Sequence, residues 1–314
     1  MSSLAVISGT GALSEQVRKV AEETSLLYTE YFIKPLLPNL EEPWRTLYKS
    51  KKLSAGILGL HPFKFSEIEE QLRKDRIQSI YFCGDFPKSQ YFRVLMQQKI
   101  FGRLIRLGDK KFNQFFDATN NGFADPIRYY LALVNLLDSL GIKPMFARDL
   151  FPSFVTQEGD AGRIHAPPAI VASLPNLLVT LGRHIDIISP QRVNLSQAAI
   201  VDSGVIVEVE TTGTDQLIDS YGTKSLIKRR IPFLLKPPSV DFNPALDQPT
   251  IGPTTVTKCM RAKIAGIVVC AETTIVIDKK QTLQLLDQAE MFLYSIPFRQ
   301  LAQVYRENFD HTWE

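Results

Sequence analysis

Two apolar runs that each stop at a glycine turn constrain the fold of this chain most. Leu4–Ile7 runs into Gly9-Thr10-Gly11 and then into an amphipathic stretch over Leu13–Glu23, and Ser79–Cys83 runs into Gly84-Asp85. Short, continuously apolar runs read as strands buried on both faces. Strands that alternate with helices pack as a parallel sheet. Leu26–Thr29 reads as the next strand. Ser66-Glu67-Ile68-Glu69 reads as a capping-box start, with Glu69 returning to the cap. Asp125-Pro126 is a cap residue followed by proline at the first helical position, and Ile127, Leu131, Val134 and Leu137 continue at helical spacing to Gly141. Residues 142–152 are irregular and proline-bearing, so a domain boundary is placed near 148. The 314 residues suit two domains, 1–148 and 149–314.

The second half has a different character. Thr156–Pro168 reads as a surface loop. Ala199–Val201, the turn Asp202-Ser203-Gly204 and Val205–Val209 form a hairpin. Thr211–Asp215 turns into a helix, and Ile231–Leu235 is a strand preceded by Lys228-Arg229-Arg230. Ile267–Cys270, Thr274–Ile277 and Phe292–Ser295 are further strands, with Asp278 capping a helix over 279–289. The fold class is therefore α/β, with two α/β domains. The first is an N-terminal Rossmann-like parallel sheet and the second a C-terminal mixed-sheet domain.

Composition excludes some functions. The net charge of +3 comes from 36 basic and 33 acidic residues, too balanced for a charge-driven nucleic-acid binder. Cys83, Cys259 and Cys270 have neither metal nor redox spacing and read as small buried hydrophobes in a reducing compartment. His61, His165, His184 and His311 lie far apart, which argues against a dinuclear metallophosphoesterase. The first residues lack the charged start and long apolar region of a signal peptide, and no run approaches the roughly 20 apolar residues of a membrane span. A soluble, cytoplasmic protein is expected, one free to touch a membrane surface.

Asp247-Gln248-Pro249-Thr250-Ile251-Gly252 carries the chemistry. It places a carboxylate ahead of a proline, a small-residue turn and a helix start. A helix start offers unpaired N–H groups and the positive end of a dipole, a seat for phosphate. A carboxylate beside it can hold a metal or orient water. Lys236 and Asp247 flank one proline-rich loop, so a cation and a carboxylate can converge. Gly9-Thr10-Gly11 admits a dinucleotide reading, with Glu30 about 20 residues on as a ribose-binding acid, but Ser14 replaces the third glycine of that fingerprint.

These residues resemble a known family. The stretch from about 197 to 296 is similar to the C-terminal domain of the UDP-2,3-diacylglucosamine hydrolases (pyrophosphatases) of lipid A biosynthesis, the type that is not calcineurin-like. The matching marks are Gly213-Thr214-Asp215, Lys236-Pro237 and Asp247-Gln248-Pro249-Thr250-Ile251-Gly252, with the spacing to Ala265-Gly266-Ile267. Ile7-Ser8-Gly9-Thr10-Gly11-Ala12-Leu13 and Cys83-Gly84-Asp85 look like its two N-terminal ligand-side turns.

The resemblance implies two α/β domains holding a lipid nucleotide between them. It also implies magnesium-dependent attack of water on the pyrophosphate, expected at the sugar-side phosphorus, with release of UMP and lipid X. It makes Asp247 the catalytic residue; Mg2+ prefers one or two carboxylates plus phosphate oxygens, which Asp247 with Asp241 or Asp215 could provide. It assigns Gly9, Gly11, Gly84, Asp85, Thr214, Asp215, Lys236, Thr250 and Gly252 to substrate binding. The partners implied are the UDP-linked glycolipid and the inner-membrane surface, with no nucleic acid; a homo-oligomer is compatible. The chain departs from the family at Thr212, where a glutamate is usual, at Glu208-Val209-Glu210, and at Ser239-Val240-Asp241-Phe242-Asn243, which lacks an arginine. Two other readings stay open: a non-catalytic lipid-nucleotide binder and a dinucleotide-dependent oxidoreductase.

Overall fold

The computed structural model describes residues 3–9, 11–33, 58–84, 108–118, 126–188, 198–211, 213–224, 231–238, 245–246 and 248–309. The chain divides into two compact units, Met1–Met145 and Phe146–Glu314.

The first unit is built on a parallel sheet. Its strands are β1 (Leu4–Ser8), β2 (Thr29–Ile33), β3 (Leu58–Leu60), β4 (Ser79–Cys83) and β5 (Lys143–Pro144), in the order β3-β2-β1-β4-β5. Its described helices are α1 (Ala12–Glu23), α2 (Phe65–Lys74), α3 (Lys110–Ala118) and α4 (Pro126–Ser139). β1 is buried along its whole length, as its apolar run requires. The order reverses between β1 and β4, the switch point at which such sheets receive ligands. The Rossmann-like arrangement expected from the sequence is present.

Two local expectations are corrected. β2 begins at Thr29 rather than Leu26, and Leu27 is left 77% exposed in the preceding turn. Ser66-Glu69 forms no capping box. Ser66 lies inside α2, and its N–H donates to Asp109 Oδ2 at 2.7 Å, while Glu69 pairs with Arg73 at 2.9 Å and with Lys111. The Asp109 carboxylate also accepts from the Phe112 N–H at 2.7 Å. One side chain thus serves the first turns of both α2 and α3, and Glu69 is released to ion pairs.

The second unit holds a six-stranded mixed sheet. Its strands are β6 (Gly159–Asp160), β7 (Ala199–Asp202), β8 (Val205–Val209), β9 (Phe233–Lys236), β11 (Gly266–Cys270) and β13 (Phe292–Ile296), in the order β6-β13-β11-β9-β7-β8. β9, β11 and β13 are parallel; β6 and β7 run against their neighbours. β10 (Thr250–Ile251) and β12 (Ile275–Val276) form a separate parallel pair.

Alternation along β11 divides the core between the two faces of this sheet. Val268 and Cys270 join Val201 and Leu235 under α6 (Pro168–Ile188) and α10 (Phe298–Phe309), where Leu178, Leu181, Leu301 and Tyr305 are buried. Ile267 and Val269 join Ile200 and Leu234 under α7 (Thr214–Lys224), α8 (Pro253–Arg261) and α9 (Lys279–Gln288). The hairpin 199–209 is where the sequence placed it. The helix α6 begins at Pro168, where the expected loop ends, and a short helix, α5 (Ala147–Leu150), occupies part of the stretch read as irregular.

Candidate functional site

In the first unit the glycine turn after β1 lies against the end of β4. The Gly9 N–H donates to the Cys83 carbonyl at 2.7 Å. Gly11 has φ 95°, a backbone that favours glycine, and Gly84 has φ 84°. Ser14, standing where a third glycine was sought, is buried, and its hydroxyl donates to the Gly9 carbonyl at 3.0 Å. It pins the turn to the start of α1. Burial pushes the Cys83 thiol up to about 11.

Glu30 is clamped by Arg18, whose Nε lies 2.9 and 3.2 Å from the two carboxylate oxygens and whose Nη2 lies 2.8 Å from Oε1. Glu30 is in register with Val6, two residues short of the Ser8 level. A ribose-binding acid stands free at the strand end. This one is engaged and recessed, which removes one support for the oxidoreductase reading. Asp85 lies outside the described residues.

In the second unit the carboxyl ends of the parallel strands gather several of the expected residues. Lys236 ends β9, in register with Val269. It is only 6% exposed, and its Nζ donates to Thr214 Oγ1. Thr214 opens α7 after Gly213, whose φ of 158° suits glycine. The Thr214 hydroxyl in turn faces Glu210 Oε1 at 3.4 Å. Among the described residues Thr214 is the one partner of the Lys236 ammonium. Asp215 turns elsewhere: its carboxylate lies 3.7 Å from Lys258 Nζ, which also binds Asp219.

Within Gln248-Pro249-Thr250-Ile251-Gly252, Thr250–Ile251 forms β10 and lies in parallel register with Ile275–Val276 of β12. The Ile275 N–H donates to the Pro249 carbonyl at 2.8 Å, and the Ile277 N–H to the Ile251 carbonyl at 2.9 Å. Thr250 Oγ1 donates to the Gln248 carbonyl at 3.2 Å. Gly252 is extended and buried, with Pro253 at the first position of α8 and no side-chain cap. A Cβ on Gly252 would approach Ile277 Cβ at 3.1 Å, so the site admits nothing larger without a shift. The Gln248 side chain accepts from the Ala147 N–H at 3.0 Å through Oε1, and its Nε2 is buried with no partner among the described residues.

Asp247 and Asp241 lie outside the described residues. Among the described residues no group of three His, Cys, Asp or Glu side chains could hold a metal ion. Lys279, near the same turn, donates to the Val155 carbonyl at 2.6 Å, and burial lowers its amine. The structure therefore joins Lys236 to Thr214 and sets Thr250 and Gly252 at a helix start. Sequence reasoning did not single out Glu210 or the side chain of Gln248. Glu210 stands four residues before Thr214, yet only the fold brings the two together across a turn.

The family model described as the LpxI C-terminal domain matches residues 184–294. Over 302 residues, 94% of this chain and 98% of the relative, the sequence is 22% identical to the UDP-2,3-diacylglucosamine pyrophosphatase LpxI of Caulobacter vibrioides. The resemblance read from the motifs is borne out as a similarity: the chain is similar to LpxI along nearly its whole length, and residues 184–294 match the LpxI C-terminal domain model.

Proposed function

We propose that this chain hydrolyses the pyrophosphate bond of UDP-2,3-diacylglucosamine to UMP and 2,3-diacylglucosamine 1-phosphate (lipid X). The observation that carries the reading is Lys236. A buried ammonium has three donors, and this one has a single neutral acceptor among the described residues. Burying a charge is costly unless it is paired. An anionic ligand at the carboxyl edge of the sheet supplies the missing partner, and a diphosphate is such a ligand. The similarity to a UDP-2,3-diacylglucosamine pyrophosphatase names the substrate class.

Magnitudes define what the site must add. The dipole of α8 contributes roughly 0.3–1 kcal/mol to an anion at its start. Catalysis of this kind removes about 8 kcal/mol or more of barrier. Magnesium suits the carboxylates available, since it binds through one or two of them plus substrate phosphates, and when bound it neutralises phosphate charge and lowers the pKa of water. Asp247 and Asp241 are the residues proposed to hold it. Asp247 also orients the attacking water, Lys236 offsets charge on the diphosphate as a point charge, and Gly9, Gly11, Gly84 and Asp85 are proposed, in the first unit, as substrate-binding residues. Thr214, Asp215, Thr250 and Gly252 shape the phosphate seat.

The acyl chains place the reaction at the cytoplasmic face of the inner membrane, with the protein bound peripherally. Among the described residues no helix is long and apolar enough to cross a membrane. The decisive assay is UMP release from UDP-2,3-diacylglucosamine by wild type and Asp247→Ala. Wild type releases UMP and the variant, folded, loses most turnover. Equal turnover by the two removes the role given to Asp247. Binding without UMP release by wild type in magnesium makes the chain a lipid-nucleotide binder instead.

A further inference from the structure

We propose that the side-chain amide of Gln248 is a second phosphate-binding donor of this site, a specificity contact that rests on the nucleotide reading above for its ligand class. Its orientation is fixed by the fold. Oε1 accepts the Ala147 N–H at 3.0 Å, and the reversed amide would set an NH2 group against that N–H. Nε2 is then buried with no acceptor among the described residues.

Proteins leave few such groups unpaired, because each buried orphan carries a desolvation cost. An acceptor for Ala147 alone does not require an amide, since a glutamate oxygen would serve. The NH2 group therefore wants its own explanation. Its location supplies one. Gln248 precedes Pro249, whose carbonyl accepts from the N–H of Ile275, the first residue of β12, which follows the turn at the end of β11. That edge of the parallel strands is also where Lys236 ends β9, and it is the edge at which α/β sheets bind ligands. The other groups that the structure offers there, the Lys236 ammonium and the start of α8, are donors. Acceptor-rich phosphate oxygens match a set of donors, and a neutral amide adds a directed bond without adding charge.

Two variants test the assignment in the full-length chain. Gln248→Glu keeps an oxygen for the Ala147 N–H but loses both donors. Gln248→Met is neutral and of similar length, and it loses the donors as well. Calorimetric titration with UMP, inorganic pyrophosphate and uridine is the readout, with thermal melting as the control for folding. The expected result is that both variants bind UMP and pyrophosphate about 10- to 100-fold more weakly than wild type, with uridine binding unchanged. Wild-type affinity for UMP and pyrophosphate in either folded variant overturns the inference. So does an equal loss for uridine and UMP, which would place the amide on the nucleoside, and so does a wild type that binds none of the three probes. Weakened phosphate binding in the variants together with no UMP release by wild type would sink the hydrolase reading and leave the donor role standing.

Discussion

The ammonium of Lys236, the last residue of β9, donates to the hydroxyl of Thr214, the first residue of α7. A threonine hydroxyl has one proton and two lone pairs. With Glu210 Oε1 placed 3.4 Å away to take that proton, the oxygen is left to face the lysine. The pair holds a positive charge at the carboxyl end of β9, with Thr214 its one acceptor among the described residues.

Replacing this lysine separates binding from stability. Lys236→Met keeps the buried methylene stem and removes the charge. A hydrogen bond to a charged group contributes about 1.5–3 kcal/mol, so KM for the UDP-glycolipid is expected to rise about 10- to 100-fold. Thermal stability should hold or increase, because the variant no longer buries an ammonium. Steady-state kinetics and a melting curve on the same preparation check both halves. Thr214→Val should move KM in the same direction by less.

Chelation addresses the metal. Treatment with EDTA is expected to abolish UMP release, with recovery on adding magnesium. A chelated enzyme that turns over at the wild-type rate would remove the metal from the proposal.

Gly266 tests the packing of the second sheet. It faces Phe292 across the parallel pair β11–β13, and a Cβ there would lie 2.3 Å from ring carbons of that residue. Both residues are buried in the sheet. Overpacking of this kind costs about 1–3 kcal/mol, so Gly266→Ala should lower the urea midpoint with little change in slope.

The three thiols give a pH dependence with a definite sign. Burial pushes Cys83 up to about 11 and Cys259 and Cys270 up to about 12, from an ordinary 9.0. Between those values the folded chain keeps protons that the unfolded chain has released. Stability is therefore expected to be unaffected by these groups below pH 9 and to fall as pH rises from there toward 12. Urea titrations across that range measure it. A thiol reagent near neutrality should label none of the three until the protein is unfolded.

The clamp between Arg18 and Glu30 predicts both a cost and a failure to bind. Arg18→Met leaves the Glu30 carboxylate, 9% exposed, without its guanidinium, and is expected to cost about 2–4 kcal/mol, somewhat under the value for a fully buried pair because Arg18 is partly exposed. Fluorescence titration of wild type with nicotinamide cofactors should show no saturable binding.

Much of the architecture could be read from residue order, for reasons visible in particular elements. β1, β4 and β11 are short apolar runs bounded by turns, and a strand buried on both faces leaves that trace. The hairpin 199–209 is marked by Asp202-Ser203-Gly204, where Ser203 and Gly204 both adopt positive φ. The helix α6 was silent because it is apolar on nearly every side and carries Pro175 inside it, so no helical period stands out. Ser66-Glu69 misled because a carboxylate from position 109 took over the work of a local cap. At the site, Lys236, Thr214 and Gly252 were legible as members of motifs. Glu210 was not, because the turn that brings it to Thr214, four residues on, leaves no mark in the spacing; the amide of Gln248 was not, because the Ala147 N–H that fixes it lies 101 residues away; and Glu30 looked available until Arg18 was seen to hold it.

The Asp109 carboxylate that serves Ser66 and Phe112 has a consequence for how the first unit comes apart. Two helix starts that depend on one acidic group cannot fray independently. The amide protons of Ser66 and Phe112 should exchange with deuterated solvent by a shared opening, and Asp109→Ala should accelerate both together while leaving the amides of β1 slow.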